Sequence, residues 1–273
     1  MGEISEALRR ARAAESGAKA ERVPVPPAPA AAPLEAVAVE RIESLSRERE
    51  GLWSPRALFI EDHGAAAECA RHLGLRVRAE CERLHVRSIA VVSALHDEGK
   101  TTVAGNLALA LCSLSAKRTV ALVDLDLRRP SLAKAIGVVP HKGFDDVLLG
   151  AASLDEACVG FESPALDTYP LRTSHASAHE LLVRPEVESA IAALERRYEI
   201  VVIDTPPVLL VPDTPILLEH VGACLAVARS GHSRAQAFQR MCGMLPPGKL
   251  VGAVLDEGRL PTAAASYRYY ESH

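Results

Sequence analysis

Residues 94–101 read Ala-x-x-x-x-Gly-Lys-Thr, the spacing of a phosphate-binding loop with alanine in place of the first glycine. Such a loop works through its backbone. Successive N–H groups and the start of the following helix point at the β- and γ-phosphates of a nucleotide. Gly99 lets the chain pass close to them, Lys100 adds a mobile positive charge, and the Thr101 hydroxyl is placed to ligate Mg²⁺. Ala94, Asp97, Glu98, Gly99, Lys100, Thr101 and Thr102 are the candidate nucleotide-binding residues. Asp97 and Glu98 place acids beside a phosphate site, which opposes anion binding.

Three further acids fit the same chemistry. Asp124 and Asp126 follow the apolar run Val120–Val123, and Asp204 follows Ile200–Ile203. Mg²⁺ takes oxygen ligands and keeps several waters, so one or two of these acids suffice beside Thr101. Asp204 has the form of a Walker B acid. A remaining acid is then available to accept a proton from a nucleophile in phosphoryl transfer. Asp also forms turns, so each acid gains its meaning from the loop it accompanies.

The elements that must carry these residues follow from hydrophobic pattern. Ile89–Val92 is a buried strand before the loop, and Thr102 opens the helix VAGNLALALCSL. Thr119–Pro130 and Ile200–Pro207 each begin as a buried strand and deliver acids at its C-terminal end, where open α/β sheets bind ligands. Strands are expected at Leu166–Leu171, Ala223–Ala228 and Leu250–Leu255, with helices at Ala65–Leu84, Asp145–Leu149, Leu154–Ala157, Glu186–Arg197 and Arg234–Met244. Alternation of this kind predicts an α/β domain of P-loop NTPase type, a mostly parallel sheet with helices on both faces. In the 65–84 helix, Gly74 weakens the pattern, and ion pairs such as Arg76–Glu80 are expected on its surface.

With 48% hydrophobic residues the chain can build a sizeable core, and a net charge of −4 does not suggest a nucleic-acid partner. Six cysteines at 69, 81, 112, 158, 224 and 242 show no CxxC spacing and read as thiols of a reducing cytosol. No apolar run approaches the roughly 20 residues of a membrane span, and the start MGEISEALRR is not a secretory signal. Glu6 stands where a myristoylation pattern has Ser or Thr. The expected organisation is a short N-terminal helix and Pro/Ala-rich disordered linker over 1–56, a catalytic domain over 57–256, and a flexible tail over 257–273.

That tail holds Tyr267, Tyr269 and Tyr270, three of the five tyrosines of the chain. Aromatic clustering at a chain end calls for a reason, since exposed ends are usually small and polar. The 11 residues from Asp256 to Tyr267 reach up to roughly 36–40 Å when extended. A phenol of pKa about 10 needs a base or a metal to act as a nucleophile at neutral pH.

The segments ALHDEGKTT, ALVDLDLRRP and VVIDTPP resemble the Walker A, A′ and B motifs of the bacterial tyrosine kinases (BY-kinases) of capsule and exopolysaccharide systems, related in fold to MinD and ParA ATPases. GFDDVLLGAASLDEA and the run from His179 to Asp213 resemble the segments between those motifs, and the likeness covers residues 57–273. It implies autophosphorylation of the tyrosine tail with ATP and Mg²⁺, with Tyr267, Tyr269 and Tyr270 as acceptors. Lys100, Asp124 and Asp126 would then be catalytic and Thr101, Asp126 and Asp204 the metal residues. Asp124 is the first candidate base, and the two A′ assignments are exchangeable. The resemblance also implies a membrane polysaccharide co-polymerase as activator, self-association into a ring, and a cytoplasmic protein recruited to the inner face of the membrane.

Three positions depart from the family. The oligomerisation helix pattern Glu-x-x-Arg-x-x-Arg is met by Glu68 and Arg71 but has Gly74 third, with Arg76 the nearest arginine. Asp97 replaces a common glycine, and Asp256 replaces an Asn near the last strand. The competing readings are a MinD/ParA-like regulatory ATPase, against which Leu95 stands where that class carries a lysine, and a weakly catalytic nucleotide-binding scaffold.

Overall fold

A computed structural model describes residues 40–42, 65–114, 119–162, 165–212 and 214–257. The expected N-terminal helix, most of the linker and the tyrosine cluster lie outside the described residues.

Among the described residues eight strands form one sheet: β1 (Glu40–Ile42), β2 (Ser88–Ser93), β3 (Val120–Asp124), β4 (Val159–Phe161), β5 (Leu166–Tyr169), β6 (Ile200–Asp204), β7 (Ala223–Arg229) and β8 (Leu250–Asp256). Their spatial order is β1-β4-β5-β3-β6-β2-β7-β8. From β5 to β8 every pairing is parallel, and β4 runs antiparallel to β5. The edge strand β1 and its neighbour β4 fall where no strand is expected from the sequence, because each is only three residues long and too short to show a period.

Period-two alternation sorts the central strands onto two cores. Ile89 and Val91 of β2, Val120 and Leu122 of β3, and Ile200 and Val202 of β6 face one side, and Ala90, Val92, Ala121, Val123, Val201 and Ile203 face the other. The first side is covered by α1 (Ala65–Leu84) and α2 (Lys100–Ser113), the second by α4 (Phe144–Leu148), α5 (Leu154–Ala157), α6 (Ala178–Leu182), α7 (Pro185–Arg197), α8 (Thr214–Glu219) and α9 (Ala235–Cys242). The short α3 (Leu132–Ala135) follows the β3 loop. A parallel sheet buried on both faces explains why these strands read as unbroken apolar runs.

The α2 helix is buried almost all round, from Val103 to Cys112, because the sheet takes one face and α1 the other. Gly74 makes that second contact possible: a Cβ there would meet the Ala110 Cβ at 3.0 Å. Accordingly α1 is continuous through Gly74, and the residue sits at a close helix–helix approach rather than at a break. The ion pairs on α1 are Glu68–Arg71, Arg78–Glu82 and Glu80–Arg83; Glu80 is taken by Arg83, not by Arg76. Cys81, Cys112, Cys158 and Cys224 are buried, whereas Cys69 is exposed, and none of the six is joined in a disulfide among the described residues.

Candidate phosphate and metal site

The phosphate loop leaves β2, which lies between β6 and β7 at the middle of the sheet. Ala94 is buried at its start, and Gly99, with φ +91°, ends it as the residue before α2. A left-handed backbone there suits glycine. Two backbone bonds, Val208 N–H to the Ser93 carbonyl (3.0 Å) and Leu209 N–H to the Ala94 carbonyl (3.2 Å), lash the loop after β6 to the end of β2. The strand ends are thereby held as one rim.

Lys100 is buried and donates to Ser93 Oγ at 3.1 Å. Thr101, beside it on the first turn of α2, donates its hydroxyl to Asp204 Oδ2 at 2.5 Å and lies 2.7 Å from Ser131 Oγ. Asp204 is enclosed, and its Oδ1 is buried without a hydrogen-bond partner among the described residues. An orphaned carboxylate oxygen beside two hydroxyls is the donor set that suits a hard divalent cation. Among the described residues no group of three or more His, Cys, Asp or Glu side chains is placed to hold a metal ion.

Asp124 and Asp204 are register partners on adjacent parallel strands, so two acids stand side by side in the interior. Asp124 is wholly buried. Its Oδ1 accepts from the Asp126 N–H and its Oδ2 from the N–H groups of Ser131 and Leu132, each at 3.0 Å. Both carboxyls are pushed above the usual carboxylate range. Burial is the first cause for each, and for Asp124 the neighbouring Asp204 is the second. Asp126 is the more open member of the A′ pair. Burial raises its pKa, opposed by the Arg129 N–H and by the nearby charge of Lys100. His96 joins this side: burial, then Arg129 and Lys100, hold its imidazole below its ordinary value.

The two loop acids behave differently from each other. Asp97 is exposed with φ +60°, an uncommon conformation for a residue other than glycine. Glu98 is buried and turns inward, where its Oε2 accepts the Leu95 N–H at 2.7 Å and its Oε1 accepts the Ser233 hydroxyl. Its carboxylate therefore braces the loop, and its charge is spent on protein donors. Thr102 opens the helix interior, its carbonyl accepting from Asn106 Nδ2 at 3.0 Å.

Lys100, Thr101, Asp124, Asp126 and Asp204 thus converge on one rim, while Tyr267, Tyr269 and Tyr270 lie outside the described residues. Ser93, His96, Ser131, Arg229 and Ser233 belong to the site although their spacing announces nothing. Only Ser131 leaves a trace, as a helix-capping residue type just after Pro130. The two other tyrosines of the chain are locked in the core. Tyr198 donates its hydroxyl to Asp167 at 2.8 Å, and the two phenols lie 2.8 Å apart, O to O.

The chain is similar to known kinases. It is 29% identical over 187 residues to tyrosine-protein kinase YwqD of Bacillus subtilis, covering 68% of this chain and 78% of that protein. It is 31% identical over 176 residues to tyrosine-protein kinase wzc of Salmonella typhi, covering 63% of this chain and 24% of that one. The chain therefore spans most of the first relative but only about a quarter of most of the others. Among solved structures, the kinase domain of Escherichia coli tyrosine kinase ETK superposes with a TM-score of 0.67 at 25% identity, covering 74% of this chain and 80% of that one. The septum site-determining protein MinD of Pyrococcus horikoshii, complexed with Mg-ADP, gives 0.54 at 25% identity, over 66% and 76%. No family model matches the chain. No helix among the described residues is long and apolar enough to cross a membrane.

Proposed function

We infer that this relative of the bacterial tyrosine kinases is itself an ATP-dependent protein-tyrosine kinase, which phosphorylates its own Tyr267, Tyr269 and Tyr270 and so regulates exopolysaccharide or capsule polymerisation and export. The observation that carries the reading is the convergence of Lys100, Thr101 and Asp204 with the Asp124/Asp126 pair on one sheet rim. The greater likeness to a kinase domain than to MinD favours transfer to protein over a positional ATPase.

Thr101, Asp204 and Ser131 would hold Mg²⁺, because they supply oxygen donors around the orphaned Asp204 Oδ1. When bound, the ion would neutralise charge on the β- and γ-phosphate oxygens. Lys100, held at Ser93 Oγ, would supply positive charge to the phosphates. A tyrosine Oη attacks the γ-phosphorus, the bond from phosphorus to the β–γ bridging oxygen breaks, and ADP leaves. The phenol proton passes to a carboxylate. Asp126 is the better acceptor of the A′ pair, since both Asp124 oxygens are occupied by backbone donors. Burial of Tyr169 and Tyr198 leaves the three tail residues as acceptors within the chain.

The partners that fit are a membrane polysaccharide co-polymerase as activator and further copies of this chain in a ring, with the protein recruited to the cytoplasmic face of the membrane. Intact-mass spectrometry after incubation with ATP and Mg²⁺ tests the core claim. Wild type should gain up to three phosphates, and Lys100→Met and the Tyr267/Tyr269/Tyr270→Phe triple variant none. Turnover of ATP to free phosphate without labelled protein would replace the kinase with the switch-type ATPase.

A further inference from the structure

The far shoulder of the phosphate loop is held from a different part of the chain. Arg229 closes β7, on the opposite side of β2 from Asp204. Its Nη1 donates to the Asp97 carbonyl at 3.1 Å, while its Nε and Nη2 grip the Glu257 carboxylate at 3.1 and 2.5 Å. The Arg229 N–H donates to Ser233 Oγ at 2.8 Å, and that hydroxyl in turn reaches Glu98, whose other oxygen holds the Leu95 N–H. Asp256 lies against the loop as well: a Cβ on Gly99 would fall 2.3 Å from its Oδ2.

The two residues that the guanidinium joins are both unusual. Asp97 and Glu257 have φ values of +60° and +53°, in a region that side chains other than glycine rarely adopt. A residue in that region persists only where its surroundings hold it there. At Asp97 the visible hold is the hydrogen bond that its carbonyl accepts from Arg229. A planar guanidinium can serve a carboxylate bidentately and a carbonyl at once, which a lysine ammonium cannot do in this geometry.

We propose that Arg229 is a positioning residue of the nucleotide site: it holds the apex of the phosphate loop through the Asp97 carbonyl, and Glu257, from which the chain continues into residues 258–273, holds Arg229. The placement of the tail root and the shape of the loop are then one coupled quantity. The proposal rests on the nucleotide-binding reading above.

The test is a set of dissociation constants for a ribose-labelled fluorescent ATP analogue with Mg²⁺, measured on the full chain. Arg229→Ala should weaken binding about tenfold, the scale of one charge-assisted hydrogen bond. Arg229→Lys should recover little of it, and Glu257→Gln should weaken binding about threefold by loosening the bidentate grip. The deciding comparison is Arg229→Ala in an Asp97→Gly background, where glycine adopts the left-handed turn unaided. There its cost should fall below about twofold, a non-additivity that general destabilisation does not produce. An equal cost in both backgrounds, or no cost in either, overturns the proposal while leaving the nucleotide site standing. Failure of the wild type to bind the analogue would overturn the site reading itself, and the proposal with it.

Discussion

Asp124 and Asp126 stand two residues apart and face different work. The first spends both oxygens on backbone N–H groups and is pressed against Asp204, while the second opens toward Lys100 and His96. Replacing Asp126 with Asn should therefore lower autophosphorylation by about 10²–10⁴-fold, the usual contribution of a positioned base, while nucleotide affinity stays within a few fold. A rate within tenfold of wild type would return the base role to Asp124. At this scale the sequence was readable wherever chemistry leaves a spacing: Gly99, Lys100 and Thr101 in one run, and each acid behind an apolar strand. Ser131, Ser233 and Arg229 were not, because they reach the loop across 30, 135 and 132 positions. No local pattern encodes such a contact.

Helices α1 and α2 show the same division at the scale of elements. The 20-residue span of α1 follows from its sequence, yet the purpose of Gly74 needs α2 to be in place. A side chain there would drive into Ala110. Gly74→Arg, which would complete the Glu-x-x-Arg-x-x-Arg pattern, should cost about 1–3 kcal/mol by overpacking, or roughly 2–12 °C in Tm. Gly74→Ala should be close to neutral, since about 1 kcal/mol of helix propensity offsets the tight contact. Differential scanning calorimetry of the two variants decides it, and an unchanged Tm for the arginine variant would mean that α1 can move off α2. The antiparallel β4 escaped notice for a different reason: three residues carry too little period to be read, and the pairings with β1 and β5 define them.

Across the whole molecule, the parallel centre carries the chemistry and a polar knot ties down the side that the β3–β5 connection crosses. Asp146 accepts Nε and Nη2 of Arg172 at 2.9 and 3.0 Å, and the Gly143 N–H as well, and the Arg172 hydrogen bonds hold its carboxyl below the ordinary range. A depressed folded pKa gives stability that is present above the unfolded value, about 3.9, and is lost as pH falls through the folded one. Arg172→Ala should therefore lower Tm at neutral pH, with the gap to wild type closing as the solution is acidified below pH ~4. A gap that stayed constant with pH would assign the loss to packing.

The paired phenols of Tyr169 and Tyr198 have an optical consequence. Burial pushes both far above the ordinary tyrosine value, so neither forms phenolate until the sheet itself opens in alkali. With two of the five chromophores silent, any ultraviolet phenolate band below that point can come only from Tyr267, Tyr269 and Tyr270. Esterification by phosphate abolishes the ionisation of a phenol. An alkaline absorbance titration, run before and after incubation with ATP, thus counts modified tail residues directly, without a label or an antibody.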